Sequence, residues 1–252
     1  MGRAAIAVMA GMMFAAYGGS ACAQGGPPMI TDDPGTPGDG HWEINIAALT
    51  DFTAKARTDQ LPLIDVNYGV GDRLQLKYEV PFTMQHEFGD SRSGLGNSLL
   101  GVKWRFYDAG AEAWQISTYP QVQFNYPNAA SPRRGLADAG TSVLLPLEFE
   151  RNCAGVDVTV ELGRWLRPAA QGDSWIAGVV IGHDIQKGLE VLAELHAEGS
   201  TNFARNESVM NFGLRWDLSE RYTLLTSAGR DLHNGLGASN TLLTYLGIQL
   251  HL

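Results

Sequence analysis

The amino-acid sequence predicts an all-β fold, a transmembrane antiparallel β-barrel of about 12 strands. Apolar and polar residues alternate in about twelve short segments, and short and long polar connections alternate between them. Beyond the N-terminal region, no window approaches the 18 consecutive apolar residues that indicate a membrane helix. The length of 252 residues and the absence of a linker fit one domain.

The N-terminal region has the pattern of an export signal. Arg3 precedes an uncharged apolar run over residues 4–17, and Ala21-Cys22-Ala23 forms a small-residue cleavage site. We therefore predict a secretory signal peptide over residues 1–23, with Gln24 as the mature N-terminus. A transmembrane helix is the alternative, but the apolar run is shorter than the roughly 20 residues that span a bilayer. Export of a barrel predicts the cell outer membrane of a Gram-negative bacterium.

Cysteine content and charge exclude several classes of site. Cleavage would leave Cys153 as the only cysteine, which excludes an internal disulfide and a cysteine-based zinc site. The net charge is −9 and no basic cluster occurs, so we expect no nucleic-acid partner.

Residues 24–40, rich in Pro, Gly and Asp, are expected to be a periplasmic N-terminal extension, and residues 41–252 the outer-membrane barrel. The extension can either enter the lumen or hang in the periplasm. Asp32 and Asp33 before Pro34 indicate a turn, because Asp side chains bond nearby backbone and Pro fixes the bend.

The alternation is clearest over residues 74–84. Their apolar face carries Leu74, Leu76, Tyr78, Val80, Phe82 and Met84, and the other face Gln75, Lys77, Glu79 and Thr83. Similar segments are 42–48, 64–68, 100–106, 114–124, 156–162, 189–195, 210–216 and 246–252. Segments 143–149 and 175–181 alternate less clearly, because both of their faces are fairly apolar. We therefore predict the number of strands to within two.

The connections favour a membrane barrel over a soluble sandwich, because outer-membrane barrels alternate short periplasmic turns with longer external loops. The short connections are 71–73, 108–110, 152–155, 186–188 and 219–221. The long ones are 53–60, 86–97, 127–140, 167–173, 199–206 and 231–239. This order places both termini in the periplasm. The C-terminal strand, expected to contact the barrel assembly machinery, ends in Leu252 instead of the usual aromatic residue.

Aromatic residues near the strand ends fit either the girdles of a membrane barrel or ordinary core packing. They are Tyr78, Trp104, Trp114, Trp165, Trp175, Trp216, Tyr222 and Tyr245.

Three stretches carry a family resemblance. They read TDDPGTPGDGHWEIN from Thr31, LPLIDVNYGVGDRLQLKYEVPF from Leu61 and GLGNSLLGVKWRFY from Gly94. They resemble the outer-membrane transporters associated with the MetA pathway of phenol degradation, most clearly over the first 110 residues. The resemblance implies passage of small compounds, aromatic ones among them. It brings no established set of substrate-binding residues.

The polar faces of the strands supply candidate lumen-lining residues. They are Lys77, Glu79, Lys103, Arg105, Asp157, Glu161, Glu190, Glu194, His196, Glu198 and Arg215. In one hypothesis, a basic wall faces an acidic wall and the transverse field favours cations. In the other, charges are neutralised locally, as Asp65 beside Lys77 or Glu194 beside Arg215.

Two further arrangements are weaker. His41, Glu43 and His251 would meet at the periplasmic rim, where a divalent metal or, more simply, a polar network is possible. His196, between Glu194 and Glu198, is the best candidate base for a lipid-modifying barrel enzyme, but no Gly-x-Ser-x-Gly nucleophile turn accompanies it.

We therefore predict no catalytic residues, no metal and no cofactor. The expected function is passive diffusion of small-molecule solutes through a channel in contact with outer-membrane lipid. The alternatives are a lipid-modifying barrel enzyme and a structural barrel with a closed lumen.

Overall fold

The computed structural model of the protein describes residues 26–110, 112–126 and 130–252. The predicted signal peptide, residues 1–23, lies outside the described residues. Within those three ranges, no helix is long and apolar enough to cross a membrane.

Almost all regular structure in the described ranges is β-strand. The strands are β1 (Trp42–Thr53), β2 (Ala56–Val70), β3 (Leu74–Glu87), β4 (Asp90–Leu95), β5 (Ser98–Asp108), β6 (Gln115–Thr118), β7 (Gln121–Phe124), β8 (Ser142–Cys153), β9 (Val156–Leu166), β10 (Ser174–Gln186), β11 (Leu189–Ser200), β12 (Asn206–Ser219), β13 (Tyr222–Asn234) and β14 (Asn240–His251). A short 3₁₀ helix, Pro132–Arg134, lies between β7 and β8.

These strands close into an antiparallel barrel with twelve strand positions around its wall, each of which we call a stave. Both β4 and β5 pair with β3 and form one stave, and both β6 and β7 lie between β5 and β8 and form another. The second interruption falls at Tyr119-Pro120, where proline cannot donate a ladder hydrogen bond. The pairing of β1 with β14, from Glu43 opposite His251, completes the circle. The predicted fold class and the count of twelve are confirmed.

The two ends of the barrel differ in their connections. At one end, called the turn end, the connections are 71–73, 109–114, 154–155, 187–188 and 220–221. At the other, the loop end, they are 54–55, 88–89, 125–141, 167–173, 201–205 and 235–239. The prediction of long loops at 53–60 and 86–97 is wrong. There the strands continue as hairpins that turn within two residues, the second at Gly89 with a φ of 89°.

The outer and inner faces of the wall have opposite character. On β10, outward-facing Trp175, Val179 and Ile181 are 42%, 40% and 49% exposed, whereas inward-facing Val180 is 3% exposed. Large apolar side chains cover the outside in the same way on the other staves. Such a surface suits lipid, and the buried side of each strand is largely polar, as in membrane barrels.

Five of the eight aromatic residues near strand ends fit a girdle. Trp104, Trp114, Trp175, Trp216 and Tyr222 are exposed on the outside, all but Trp175 near the turn end. Trp165 and Tyr78 are half-buried. Tyr245 instead packs inside the barrel with Ala47, Leu63 and Leu225, where it is 6% exposed.

Residues 26–40 lie inside the barrel, and we call this segment the plug. It joins the wall at the turn end, where Gly40 N–H donates to Gly69 O at 3.1 Å and Asp39 Oδ1 accepts from Gly71 N–H at 2.8 Å. Of the two placements that the sequence allows for the extension, these residues have the one in the lumen. They do not project away from the wall as the expected periplasmic extension would.

Candidate functional site

The plug fits into grooves of the inner wall where side chains are missing. An added Cβ atom on Gly178 would come within 2.0 Å of Thr31 Oγ1. One on Gly213 would come within 1.9 Å of Met29 Cε, and one on Gly69 within 1.8 Å of Gly38 O. Only glycine permits such close approach. These three positions of the wall are therefore shaped to receive the plug.

An apolar patch of the wall meets the plug at one point. Met29 packs with Val180 and Leu192, and all three are almost completely buried. This contact explains why segment 175–181 is apolar on both faces. One face meets lipid, and the other meets the plug rather than water.

Two carboxylates of the wall accept hydrogen bonds from the backbone of the plug. Glu194 Oε1 accepts from Ile30 N–H at 3.0 Å and from Thr31 N–H at 2.6 Å. Glu161 Oε2 accepts from Asp32 N–H at 3.1 Å. Asn211 Nδ2 also donates to Glu194, at 2.9 Å, which fixes that carboxylate toward the plug. A charged acceptor makes each of these bonds stronger than a neutral one.

The ammonium group of Lys103 anchors the acidic part of the plug. Nζ donates to Asp32 Oδ1 at 2.8 Å and to the backbone oxygen of Asp33. Asp33 Oδ1 and Glu148 Oε2 lie 3.7 Å and 3.9 Å from the same nitrogen. It also sits 4.7 Å from the centroid of the Tyr119 ring. Lys103 is 2% exposed, so these partners replace water around its charge.

Carbonyl oxygens at the start of the plug face donors of the wall. Arg215 donates from Nε to Pro27 O and from a terminal nitrogen to Gly26 O, both at 3.3 Å. Its other terminal nitrogen donates to Glu190 Oε2 at 3.1 Å. Ser227 Oγ donates to Pro28 O at 2.8 Å.

Five predicted lining residues thus contact the plug, namely Lys103, Glu161, Glu194, His196 and Arg215. The other six have partners in the wall or in its connections. Lys77 pairs with Asp65 at 3.3 Å and Glu79 at 3.1 Å, Arg105 with Asp108 at 3.3 Å, Glu198 with Arg167 at 2.6 Å and Glu190 with Arg215, and Asp157 accepts from Asn152 at 2.8 Å. These pairs favour local neutralisation over a transverse field, although Glu194 binds the plug and Arg215 takes Glu190 as its partner.

Sequence reasoning missed several buried polar residues. Glu148 is fully buried and accepts from Ser117 Oγ, and Glu150 accepts from Thr159 Oγ1 at 3.2 Å. Both lie on β8, where Leu144 and Pro146 also face inward. Apolar and polar residues therefore do not alternate along the sequence of this strand. Tyr119, fully buried, accepts from Gln75 Nε2 at 3.2 Å. It lies at the break between β6 and β7, where no regular alternation marks it.

The plug occupies the lumen, where it contacts β5, β9, β11, β12 and β13. Beside it, on the side of Lys77 and Tyr119, a cavity of about 20 Å³ has room for a water molecule but not for a solute. At the loop end, a cavity of about 500 Å³ opens among the connections.

At the two weaker candidate sites, around His251 and at His196, the structure shows polar contacts. Glu43 lies opposite His251 across the β1–β14 pairing, and His251 Nε2 lies 3.1 Å from Thr223 Oγ1. The described part of the chain holds no group of three or more His, Cys, Asp or Glu residues placed for a metal ion. His196 is buried in the lumen, where its Nδ1 lies 3.3 Å from Thr31 Oγ1 of the plug.

Comparison with known proteins shows the fold. No protein-family model matches the sequence, and no curated protein does. A COG4313 outer membrane channel from Pseudomonas putida F1 is similar in structure, with a TM-score of 0.71 and 13% identity over 89% of this chain and 100% of that one. The KdgM and NanC porins have TM-scores of 0.56 and 0.55, identities of 9% and 8%, and coverage of 82% of this chain and 98% and 97% of theirs.

Proposed function

We propose that the protein is an outer-membrane channel for passive diffusion of small molecules and that the plug holds it closed. The observation that supports this proposal is a closed barrel, apolar outside and polar inside, whose lumen holds a segment that belongs to no strand of the wall. The structural neighbours named as a channel and as porins support this proposal. With this orientation, the turn end faces the periplasm and the loop end the exterior.

The contacts of the plug are of a kind that water can replace. Most of them are hydrogen bonds and ion pairs, which water could remake with each partner once the segment left the wall. Apolar contact adds to them, since Met29 packs with Val180 and Leu192, and Pro28 and Pro34 of the plug are buried as well. Displacement of residues 26–36 would expose Lys103, Glu161, Glu194 and Arg215 along an aqueous path.

The resemblance to transporters of the MetA pathway adds an expectation about solutes. We propose that small aromatic compounds are among them, and blockade of the open channel by aromatic acids tests this. As membrane partners, we propose outer-membrane lipid against the apolar band and the barrel assembly machinery at β14.

The channel can be tested by locking the plug reversibly. A Cβ atom on Gly178 would lie 2.9 Å from Thr31 Cβ, closer than the about 3.8 Å of a disulfide, so the plug must move slightly outward for the crosslink to form. In the reduced protein the added side chain at position 178 should displace the plug. We would prepare Thr31→Cys with Gly178→Cys in a Cys153→Ser background and measure single-channel conductance in a planar bilayer. Oxidised protein should be silent and reduced protein should conduct, whereas either single cysteine variant should not respond to reductant.

A structural barrel with a closed lumen is the second candidate, favoured by the small space left beside the plug. If the reduced protein and a variant lacking residues 26–36 are both folded, inserted and silent, the channel proposal fails and this candidate stands. The lipid-modifying enzyme loses its best base, because His196 faces the plug. Phospholipid hydrolysis by purified protein in detergent would revive it.

A further inference from the structure

The cavity of about 500 Å³ at the loop end lies close along β11 to a contact between the wall and the plug. Its wall includes Glu198, which is two residues beyond His196 on β11 and faces the same way, and His196 contacts Thr31 of the plug. Two residues of a strand span about 6.6 Å. The cavity therefore lies on the loop-end side of the plug, next to one of its contacts with the wall.

The lining of the cavity is polar. It consists of carboxylates, guanidinium groups, hydroxyls, amides and glycine, and Ala204 and Leu236 are the only apolar side chains among its described lining residues. Pockets that take apolar ligands are lined mainly by hydrophobic and aromatic side chains. A ligand here must instead supply hydrogen bonds, because polar groups that lose water without a partner are costly to bury.

Three of the five charges that line the cavity already have partners. Arg167 donates to Glu198 Oε1 at 2.6 Å. Asp173 accepts from Arg164 at 2.9 Å and from Arg167 N–H at 3.1 Å. Arg167 holds the connection 167–173 against β11, Asp173 holds it against Arg164 of β9, and the charges of Arg167, Asp173 and Glu198 are satisfied within the protein.

Arg205 and Asp138 remain available. Neither has an ion-pair partner within 4.0 Å among the described residues, and both are exposed to the cavity. Their backbones are fixed, since Arg205 N–H donates to Ser200 Oγ at 3.2 Å and Asp138 O accepts from Asn125 Nδ2. The Asp138 carboxylate accepts from Asn97 Nδ2 at 3.3 Å. The cavity thus presents one cation, Arg205, and one anion, Asp138, neither of which is neutralised by an ion pair among the described residues.

We infer that this cavity binds small zwitterionic solutes, such as amino acids and short peptides, with the solute carboxylate on Arg205 and its ammonium group on Asp138. Guanidinium–carboxylate pairs are strong and directional. The volume lies within the range of pockets for small organic ligands. The inference deepens the proposed channel function and rests on it for its physiological meaning, because the cavity is then the entrance to the passage.

The test is isothermal titration calorimetry on the full chain refolded in detergent, with four forms of one dipeptide at pH 7. Glycylglycine carries both charges, its N-acetyl form only the anion, its amide only the cation, and the acetylated amide neither. We expect glycylglycine to bind most tightly and the uncharged form at least tenfold more weakly. Equal affinity for all four forms, or binding of none, would overturn the inference without any variant.

Variants assign the two charges. Arg205→Gln should weaken binding of glycylglycine roughly tenfold and leave the amide unaffected, since a lost charge-assisted contact costs about a factor of ten. Asp138→Asn should weaken glycylglycine and the amide but not the N-acetyl form. Lys55→Gln, at a hairpin tip outside the cavity lining, is the matched control. Wild-type affinity in both cavity variants would refute the assignment.

Ion conductance measured on the same preparation separates this inference from the channel proposal. If the reduced double-cysteine protein conducts ions but binds no dipeptide, the channel proposal stands and the zwitterion site is refuted. If the protein binds the dipeptide but no plug variant conducts ions, the zwitterion site stands and the channel proposal is refuted.

Discussion

Lys103 is the residue on which the charge balance of the plug depends. Its ammonium group is buried among the carboxylates of Asp32, Asp33 and Glu148. Removal of one partner from a buried ionic cluster leaves uncompensated charge and typically costs a few kcal/mol. The residue thus stabilises the plug and the wall together.

Lys103→Met should lower the free energy of unfolding by about 3 kcal/mol, as measured by urea unfolding of the refolded protein in lipid. Lys55→Met, at an exposed hairpin tip, should change it by less than about 0.5 kcal/mol. A loss below about 1 kcal/mol in Lys103→Met would mean that water hydrates the cluster and that the lumen is wetter than the structure indicates.

The Asp173 carboxylate helps to hold the connection 167–173, together with the Arg167–Glu198 pair. The pKa of Asp173 is held below its ordinary value of 3.8, because its carboxylate accepts hydrogen bonds from Arg167 N–H and from the guanidinium group of Arg164. A lowered folded pKa means that the ionised group stabilises the connection. This contribution is complete above the unfolded value and is lost as the pH falls through the lower folded value.

Asp173→Asn should therefore loosen the connection in acid and at neutral pH alike, whereas the wild-type connection should loosen only below about pH 3.8. Cleavage by pepsin at pH 2.5 and by a neutral protease at pH 7, followed by mass spectrometry of the fragments, checks both. Neutral cleavage at equal rates in the two proteins would show that Asp173 does not hold the connection.

Among the elements, β10 shows how the wall accommodates the plug. Its inner face carries Gly178 and Gly182, with Val180 between them. Strand glycines are usually unfavourable, because glycine loses conformational freedom and packs nothing. Here Thr31 of the plug packs over Gly178, and Glu190 of β11 packs over Gly182.

Gly178→Val should expel the plug, because a Cβ atom would already overlap Thr31, while a β-branched residue favours the strand itself. We expect higher conductance and proteolytic release of fragments from residues 26–36. Ala177→Val, one residue earlier and facing outward, is the matched control and should change neither. A silent, protease-resistant Gly178→Val variant would show that the plug shifts without leaving.

In one strand that sequence predicted poorly, the plug alters the environment of the inner face. Segments 74–84 and 156–162 alternate cleanly, because water or polar groups face one side and lipid the other. Segment 175–181 does not, since Val180 meets Met29 of the plug. The same limit applies to the predicted lumen-lining residues. Strand periodicity selected Glu161 and Glu194, but it contains no information on a segment outside the strands, such as Asp32 and Asp33.

For the whole molecule, the distribution of charge decides ion selectivity. Each cation of the inner wall that was predicted to build a basic wall has a carboxylate nearby, as Lys77 has Asp65 and Arg105 has Asp108. Local pairing leaves little transverse field.

Lys103→Gln with Arg105→Gln, made in the Gly178→Val background so that the passage is open, should leave the ion selectivity unchanged. The reversal potential in a salt gradient across a planar bilayer measures it. A marked change in selectivity would restore the idea of opposed basic and acidic walls.

Export of the chain makes a simple prediction about its mature form. Protein recovered from the outer-membrane fraction should begin at Gln24, as cleavage after Ala23 requires. Intact-mass measurement reads this directly, and a mass that includes residues 1–23 would contradict it.

The plug joins β1 within a few residues of its last contact with the wall, and this makes it a tethered ligand of its own barrel. A short tether gives an effective local concentration on the order of millimolar. A free solute that competes for Glu194 or Arg215 must match that concentration or bind more tightly than the plug does. Opening would then respond to abundant solutes and ignore scarce ones, so that the proposed channel would admit what is plentiful outside the cell.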